Sequence, residues 1–253
     1  MPASRFPLSP LVPVGEHALE PARLREILRP YVSDARWERI LGVASRRTFD
    51  VLPVLEGLVD PGNVNAVLRS AEGLGFGAAH LVALQDDAAT LAQAYATRHE
   101  VDAEPDVRIA KRASQGAHKW IEVRAWERTA AWARHARAQG YRVAVTALRA
   151  DARPIAALDF SVPTALVVGA EHDGASEVML ALADEAVLLP LDGFVQSYNV
   201  SVAAALALYH ARADRAARGV PATLPDAERD LLAAHYLARA VPHAEALVRH
   251  ALG

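Results

Sequence analysis

The sequence predicts an α/β domain with a mostly parallel sheet flanked by helices, and three observations predict it. Runs rich in Val, Leu and aromatic residues recur at 49–58, 79–84, 119–126, 141–148, 164–170 and 186–191. Segments with helical patterning lie between most of them, at 61–74, 127–139, 175–184 and 197–218. Strands that alternate with helices in this way build parallel sheets. The 253 residues, 52% of them apolar and 23% charged, suffice for one large domain with a small extension.

Each element has its own signal. The first 21 residues carry Pro at positions 2, 7, 10, 13 and 21 and no apolar core, so they are expected to be an extended or disordered arm, not a signal peptide. "EPARLREILRPY" and "SDARWERILGVASRR" predict two short helices, at 20–30 and 33–47. Pro61 opens the next helix. In it Val64, Val67, Leu68, Ala71 and Leu74 fall on one buried stripe, and Asn65, Arg69 and Glu72 on another face. "GLGFG" (73–77) has the glycines of a dinucleotide loop in the wrong context, because a helix precedes them and a strand follows. Gly75 or Gly77 is instead expected to end the helix. After the break at "RGVPATLP" (218–225) two further short helices are expected. The organisation predicted is an N-terminal arm with short helices (1–48), a main domain (49–218) and a C-terminal helical extension (219–253).

Composition excludes several functions. No run of 18 apolar residues without charge exists to span a membrane. The absence of cysteine removes disulfides, thiolate metal sites and Cys nucleophiles. The ten histidines are scattered without metal-ligand spacing, so no metal is expected, and His118 in "SQGAHKW" reads as surface or structural. No Gly-x-Ser-x-Gly elbow is present. The expectation is a soluble, cytoplasmic protein. Its net charge of −3 argues against nucleic acid, but from Arg108 to Arg149 ten basic residues face only Glu122 and Glu127. That stretch presents either a phosphate-binding face or a solvated helix surface.

Three short stretches carry polar groups where an apolar run meets a loop. In "DPGNVNAVLRSAEGLG", Arg69 points away from the buried stripe, where an ordinary helical Arg pairs with Glu72 at i+3. "TALVVGAEHDGAS" presents Glu171 at the carboxyl end of a strand, where open α/β sheets bind ligands, or else as a solvated loop residue. Its glycines are expected to let the backbone approach a ligand. "LDGFVQSYNVSVAAALALYH" sets Gln196, Ser197 and Asn199 before a helix with only Ser201 polar between Val200 and Tyr209. These residues either cap a helix buried nearly all round or line a pocket at its end.

In order along the chain, these three stretches resemble the three motifs of the SpoU/TrmH-type RNA 2′-O-ribose methyltransferases. "NVNAVLRSAEGLGF" resembles the first, with Asn63 six residues before Arg69; "LVVGAEHDGAS" resembles the second, and "LPLDGFVQSYNVSVAAALALYHAR" the third. The resemblance covers roughly residues 50–218, and "GAHKWIEV", "VAVTALRADAR" and "GFVQS" look most like the tRNA guanosine-18 enzymes. Leu191, Tyr198 and Asn65 depart from the usual spelling.

The resemblance implies a homodimer whose main domain ends in a deep trefoil knot. It also implies methyl transfer from S-adenosylmethionine to a ribose 2′-OH. It carries catalytic roles to Arg69, Asn63, Glu171 and Asn199, and cofactor contacts to Thr146, Gly169, Leu189, Leu191, Ser197 and Tyr198. RNA, most of all tRNA, is the expected partner, with contacts expected from Arg25, Arg29, Arg46, Arg134 and Arg137. Two alternatives stay open: the same chemistry on ribosomal RNA or another tRNA position, and a catalytically silent RNA-binding protein of the same fold. Only about 48 residues precede the first strand, too few for the full RNA-binding domain that some ribosomal-RNA relatives carry.

Overall fold

Within the Pro-rich arm, Gly15 adopts a left-handed φ of +61°, which turns β1 (Val12–Val14) back onto β2 (His17–Leu19) as an antiparallel pair. The arm was expected to be extended or disordered throughout. Strands of three residues are too short for periodicity to reveal. The computed structural model describes residues 5–84, 119–171, 173–221 and 224–253. His118 and the basic residues Arg108, Lys111 and Arg112 lie outside them.

Helix α1 (Pro21–Leu28) opens on a proline and buries Leu24, Ile27 and Leu28. Ser33 caps α2 (Asp34–Ala44) by accepting from the Arg36 N–H at 3.2 Å. Strand β3 (Val51–Glu56) is buried along its whole length. Its Pro53 lies where β4 has not yet joined: pairing with β4 begins only at Val54. Asp60 then caps α3 (Pro61–Gly73), its carboxylate accepting from the Asn63 N–H at 2.7 Å. The helix ends as expected, on Gly75 at φ +89°. There Gly75 N–H donates to Glu72 O and Phe76 N–H to Ala71 O, the paired bonds of a Schellman stop.

The chain continues through β4 (Ala78–Val82), β5 (Glu122–Trp126), α4 (Thr129–Ala138), β6 (Arg142–Thr146) and β7 (Arg153–Pro154). It then forms β8 (Thr164–Val168), α5 (Glu177–Leu182), β9 (Glu185–Leu188) and α6 (Val200–Ala217). Helices α7 (Asp226–Ala240) and α8 (Ala244–Leu252) finish it, and α7, at 15 residues, is longer than the short helix expected.

The described chain divides into two units, Arg5 with Phe49–Pro221 and Phe6–Thr48 with Ala222–Gly253. The second holds the hairpin, α1, α2, α7 and α8. In it α1 and α2 pack on α7, and buried Arg47 donates to Tyr236 Oη at 2.9 Å.

The first unit holds a seven-stranded sheet in the order β5-β4-β3-β8-β6-β9-β7, every pair parallel. Alternate strand residues such as Val51, Leu55, Leu166 and Val168 form one core with α3 and α6. Their neighbours Leu52, Val54 and Val167 are equally buried and face the other way. Both faces are therefore covered, as a parallel sheet requires. Near the foot of α6, fully buried Arg215 donates to Asp50 at 2.8 Å and to Phe160 O at 2.9 Å, while Arg5 takes the other Asp50 oxygen. Removing one partner of such a pair strands a buried charge, at a cost of about 3–5 kcal/mol.

Among the described residues no helix is long and apolar enough to cross a membrane.

Candidate active site

Strands β8, β6 and β9 are neighbours in the sheet, and their carboxyl ends open into a pocket of about 410 Å³. Thr146 ends β6, and Gly169 and Leu189 follow β8 and β9 directly. Leu191, Ser197 and Tyr198 come from the loop before α6, whose first turn closes one wall with Val200 and Ala203. All six residues expected to meet the cofactor thus line one cavity. Arg149, Asp173 and Gln196 also line it. Gln196 thus takes the pocket-lining alternative that the sequence left open for it, whereas sequence reasoning did not assign Arg149 or Asp173 to a pocket, although they belong to the stretches "RADAR" and "EHDGAS" already quoted.

The loop after β8 is shaped by its own backbone. A Cβ on Gly169 would lie 2.1 Å from the Ala175 nitrogen, so the bare glycine admits the returning strand of its own loop, and the same residue lines the pocket. Ala170 and Gly174 close the loop with two backbone bonds, of 2.9 and 3.1 Å. Gly174 sits at φ +70°, in the left-handed region that favours glycine. Glu171 stands at the tip, lines the pocket and accepts from Asn63 Nδ2 at 2.8 Å.

Where this loop enters α5, Ser176 accepts from Met179 N–H and is itself held by Glu56. The Glu56 carboxylate, fully buried at the end of β3, accepts from Ser176 N–H and Ser176 Oγ at 2.8 Å each and from Thr129 Oγ at 2.6 Å. Sequence reasoning missed Glu56. Its one signal is a lone charge closing the apolar run "VLPVLE".

Two expected catalytic residues stand apart from this contact network. Arg69 is exposed on α3 and does not line the pocket, and its side chain makes no hydrogen bond or ion pair among the described residues, not even with Glu72. It follows Asn63 by six residues, about 9 Å along the helix axis. Asn199 caps α6, its Oδ1 accepting from Ser201 N–H at 2.9 Å and Ser201 Oγ at 2.7 Å. Capping is therefore the work of Asn199, and lining the pocket that of Ser197.

Helix α6 is not buried all round within the chain. Val200, Ala204, Ala207, Leu208 and Ala211 face inward, while Val202, Leu206 and Tyr209 remain exposed at i, i+4 and i+7.

The five arginines expected at RNA differ in what already holds them. Arg29 is engaged by Asp34 and Val32 O and lies over Trp37. Arg137 donates to Leu182 O at 2.6 Å and to Asp184 at 3.2 Å. Arg25 reaches Asp230 only at 3.9 Å. Arg46 is exposed without an ion pair among the described residues, and Arg134 buries an Nε that no group satisfies.

The profile of the SpoU rRNA Methylase family matches residues 50–209, which include the sheet, the pocket and Arg69. The chain belongs to this family. The tRNA (guanosine(18)-2′-O)-methyltransferase of Thermus thermophilus is 36% identical over 188 residues, covering 74% of this chain and 87% of its own. The Aquifex aeolicus TrmH/SpoU tRNA modifying enzyme shares the fold, with a TM-score of 0.64 at 22% identity over 81% of this chain and 95% of that one. So does an AdoMet-bound rRNA methyltransferase from Sinorhizobium meliloti, with a TM-score of 0.52 at 23% identity over 69% and 59%.

Proposed function

We propose that this SpoU-family chain methylates the 2′-hydroxyl of a ribose in RNA, with guanosine 18 of tRNA as the target. The observation that carries the reading is the Asn63–Glu171 hydrogen bond, which joins the helix bearing Arg69 to the pocket at the carboxyl ends of the strands. The guanosine-18 target rests on the printed activity of the Thermus relative.

The pocket fits S-adenosylmethionine. Its volume falls in the range of about 300–1,000 Å³ usual for small-molecule sites. Val187, Leu189, Leu191 and Tyr198 offer apolar surface for an adenine, and Glu171 and Asp173 bring negative charge suited to a sulfonium. When bound, this cofactor supplies a methyl group already activated on positive sulfur. The chain then has to align the acceptor and accommodate one proton.

Thr146, Gly169 and Ser197 would hold the cofactor with Leu189, Leu191 and Tyr198. Arg69 orients the 2′-hydroxyl and the adjacent phosphate. A guanidinium has no acceptor site, so the 2′-hydroxyl proton is relayed through a phosphate oxygen to solvent rather than taken by Arg69. Asn63 and Glu171 fix one another, and Asn199 fixes the start of α6 behind the pocket.

The family reading extends to assembly. The main domain ends in a trefoil knot; β8 lying between β3 and β6, out of sequence order, is compatible with this. The exposed stripe of α6 supports a homodimer, in which a second copy would cover Val202, Leu206 and Tyr209. Residues 1–48 assist RNA binding, and the protein works in the cytoplasm, where tRNA is modified.

Methyl incorporation into unmodified tRNA, followed by mapping of the modified nucleotide, tests the reading. Incorporation at G18 that disappears in Arg69→Ala, with S-adenosylmethionine affinity unchanged, is the expected result. No transfer to tRNA, but transfer to ribosomal RNA, would move the target, and full activity of Arg69→Ala would remove Arg69 from catalysis.

A further inference from the structure

The Glu56 carboxylate closes β3, and β3 runs by a four-residue turn into α3, which bears Asn63 and Arg69. Its hydrogen bonds, however, go to other elements. Thr129 is the first residue of α4, and Ser176 ends the loop that carries Glu171 and lines the pocket. One buried side chain therefore grips the far end of the Glu171 loop, while Asn63 grips its tip from the helix that follows β3.

We propose that Glu56 is a positioning residue for the cofactor pocket, fixing the 169–176 loop through Ser176 so that Glu171 meets Asn63 and the pocket keeps its shape. The chemistry of the three donors explains why a carboxylate stands here. The Ser176 amide can only donate, and the Ser176 hydroxyl already accepts from Met179 N–H, so its proton must find an acceptor. An ionised carboxylate accepts on both oxygens at once, and bonds to a charged acceptor are about twice as strong as neutral ones. A Gln in its place turns an NH2 toward this donor-rich corner. Because Ser176 is also the N-cap of α5, loosening it frees one end of the loop without removing a core side chain.

This inference rests on the cofactor pocket assigned above, and two variants of the full chain separate the two ideas. Isothermal titration with S-adenosylmethionine reports the dissociation constant and, separately, the fraction of sites able to bind. Leu191→Trp, which fills the pocket, must weaken binding if the pocket is assigned correctly; if it does not, the pocket assignment falls. Glu56→Gln is expected to raise the dissociation constant about tenfold with the binding fraction intact and KM for tRNA unchanged, in keeping with one lost charge-assisted bond.

Ser176→Ala should act in the same direction. Adding it to Glu56→Gln should produce little further loss, the non-additivity of groups acting as one unit. An unchanged dissociation constant in Glu56→Gln, a fall in binding fraction alone, or fully additive effects would each overturn the inference. Should Glu56→Gln fail to fold, unchanged affinity in Ser176→Ala overturns it instead.

Discussion

Asn63 and Glu171 are 108 residues apart in the chain and 2.8 Å apart in the fold. Asn63 is fixed twice, since Asp60 accepts from its backbone N–H while its side-chain amide reaches the loop after β8. That link is expected to matter more for turnover than for folding, because both residues retain contact with solvent. Asn63→Asp, which sets two carboxylates against each other, should lower kcat by about tenfold or more, as loss of a hydrogen bond to a charged group does. The change in melting temperature should be small. Equal kcat in wild type and variant, measured by single-turnover methyl transfer, would show the bond to be incidental.

Gly169 and Gly174 sit in one loop and should respond differently to alanine. At Gly169 the added methyl meets backbone 2.1 Å away, which cannot yield without opening the Ala170–Gly174 bridge. At Gly174 nothing lies within 4 Å, and only the left-handed φ of +70° is strained. Gly169→Ala should cost about 3 kcal/mol or more and abolish cofactor binding. Gly174→Ala should cost roughly 1–2 kcal/mol and only weaken it. Urea denaturation paired with cofactor titration measures both, and equal effects would refute the loop geometry.

Much of this was readable in the sequence, and what was not has definite causes. Buried strands such as β8 and the stripe of α3 follow from local pattern alone. The Schellman stop at Gly75 was legible because its glycine follows directly on the helix. Gly169 was legible as a position of close backbone approach, but local pattern could not show that its own loop, at Ala175, takes part of that space. Glu56 was illegible because its partners Thr129 and Ser176 lie 73 and 120 residues downstream. The exposed half of α6 was hidden by composition: a helix apolar on every side looks the same whether its outer face meets its own chain or solvent.

Acid should weaken the fold through His80. Its pKa is held well below the ordinary value, first by burial and then by His135 and Arg124 nearby, and the indole N–H of Trp132 donates to its Nδ1 at 3.2 Å. Burial and Arg124 depress His135 in the same direction. A histidine neutral in the folded state and protonated in the unfolded one makes the unfolded state bind more protons. Stability then falls as pH drops below about 6.5, by at most about 1.4 kcal/mol per pH unit for His80. Denaturation midpoints at pH 7.5 and 5.5 should show this slope. His80→Gln should flatten it, and a slope unchanged by that substitution would remove His80 as its source.

The stripe of Val202, Leu206 and Tyr209 supplies the test of assembly. Leu206 is 43% exposed, so a charge there should be tolerated by the isolated chain. In a two-fold interface it would meet its own copy or apolar neighbours and be buried without a partner. Leu206→Glu should therefore leave the urea midpoint of the monomer nearly unchanged and raise the dimer dissociation constant at least about tenfold. Sedimentation velocity across a concentration series decides, and a stable, active wild-type monomer at micromolar concentration would refute the dimer.

Which arginines reach the RNA can be sorted by what already holds them. Arg137 is committed to Leu182 O and Asp184 at the end of α5, so Arg137→Gln should lower the melting temperature before it affects RNA. Arg29 is likewise occupied by Asp34, Val32 O and Trp37. Arg46 is exposed and unpaired among the described residues, and the hydrogen-bonding capacity of Arg134 is unused there too. If these two meet phosphates, each substitution by Gln should reduce the slope of log affinity against log salt by about 0.7–0.9 and weaken tRNA binding without altering cofactor affinity. The double variant should lose about twice that slope, since the phosphates neutralised are independent. A slope the same as wild type for both single variants, measured with unmodified tRNA, would assign these arginines to solubility. Arg25, which reaches Asp230 only at 3.9 Å, would then be the next candidate for phosphate contact.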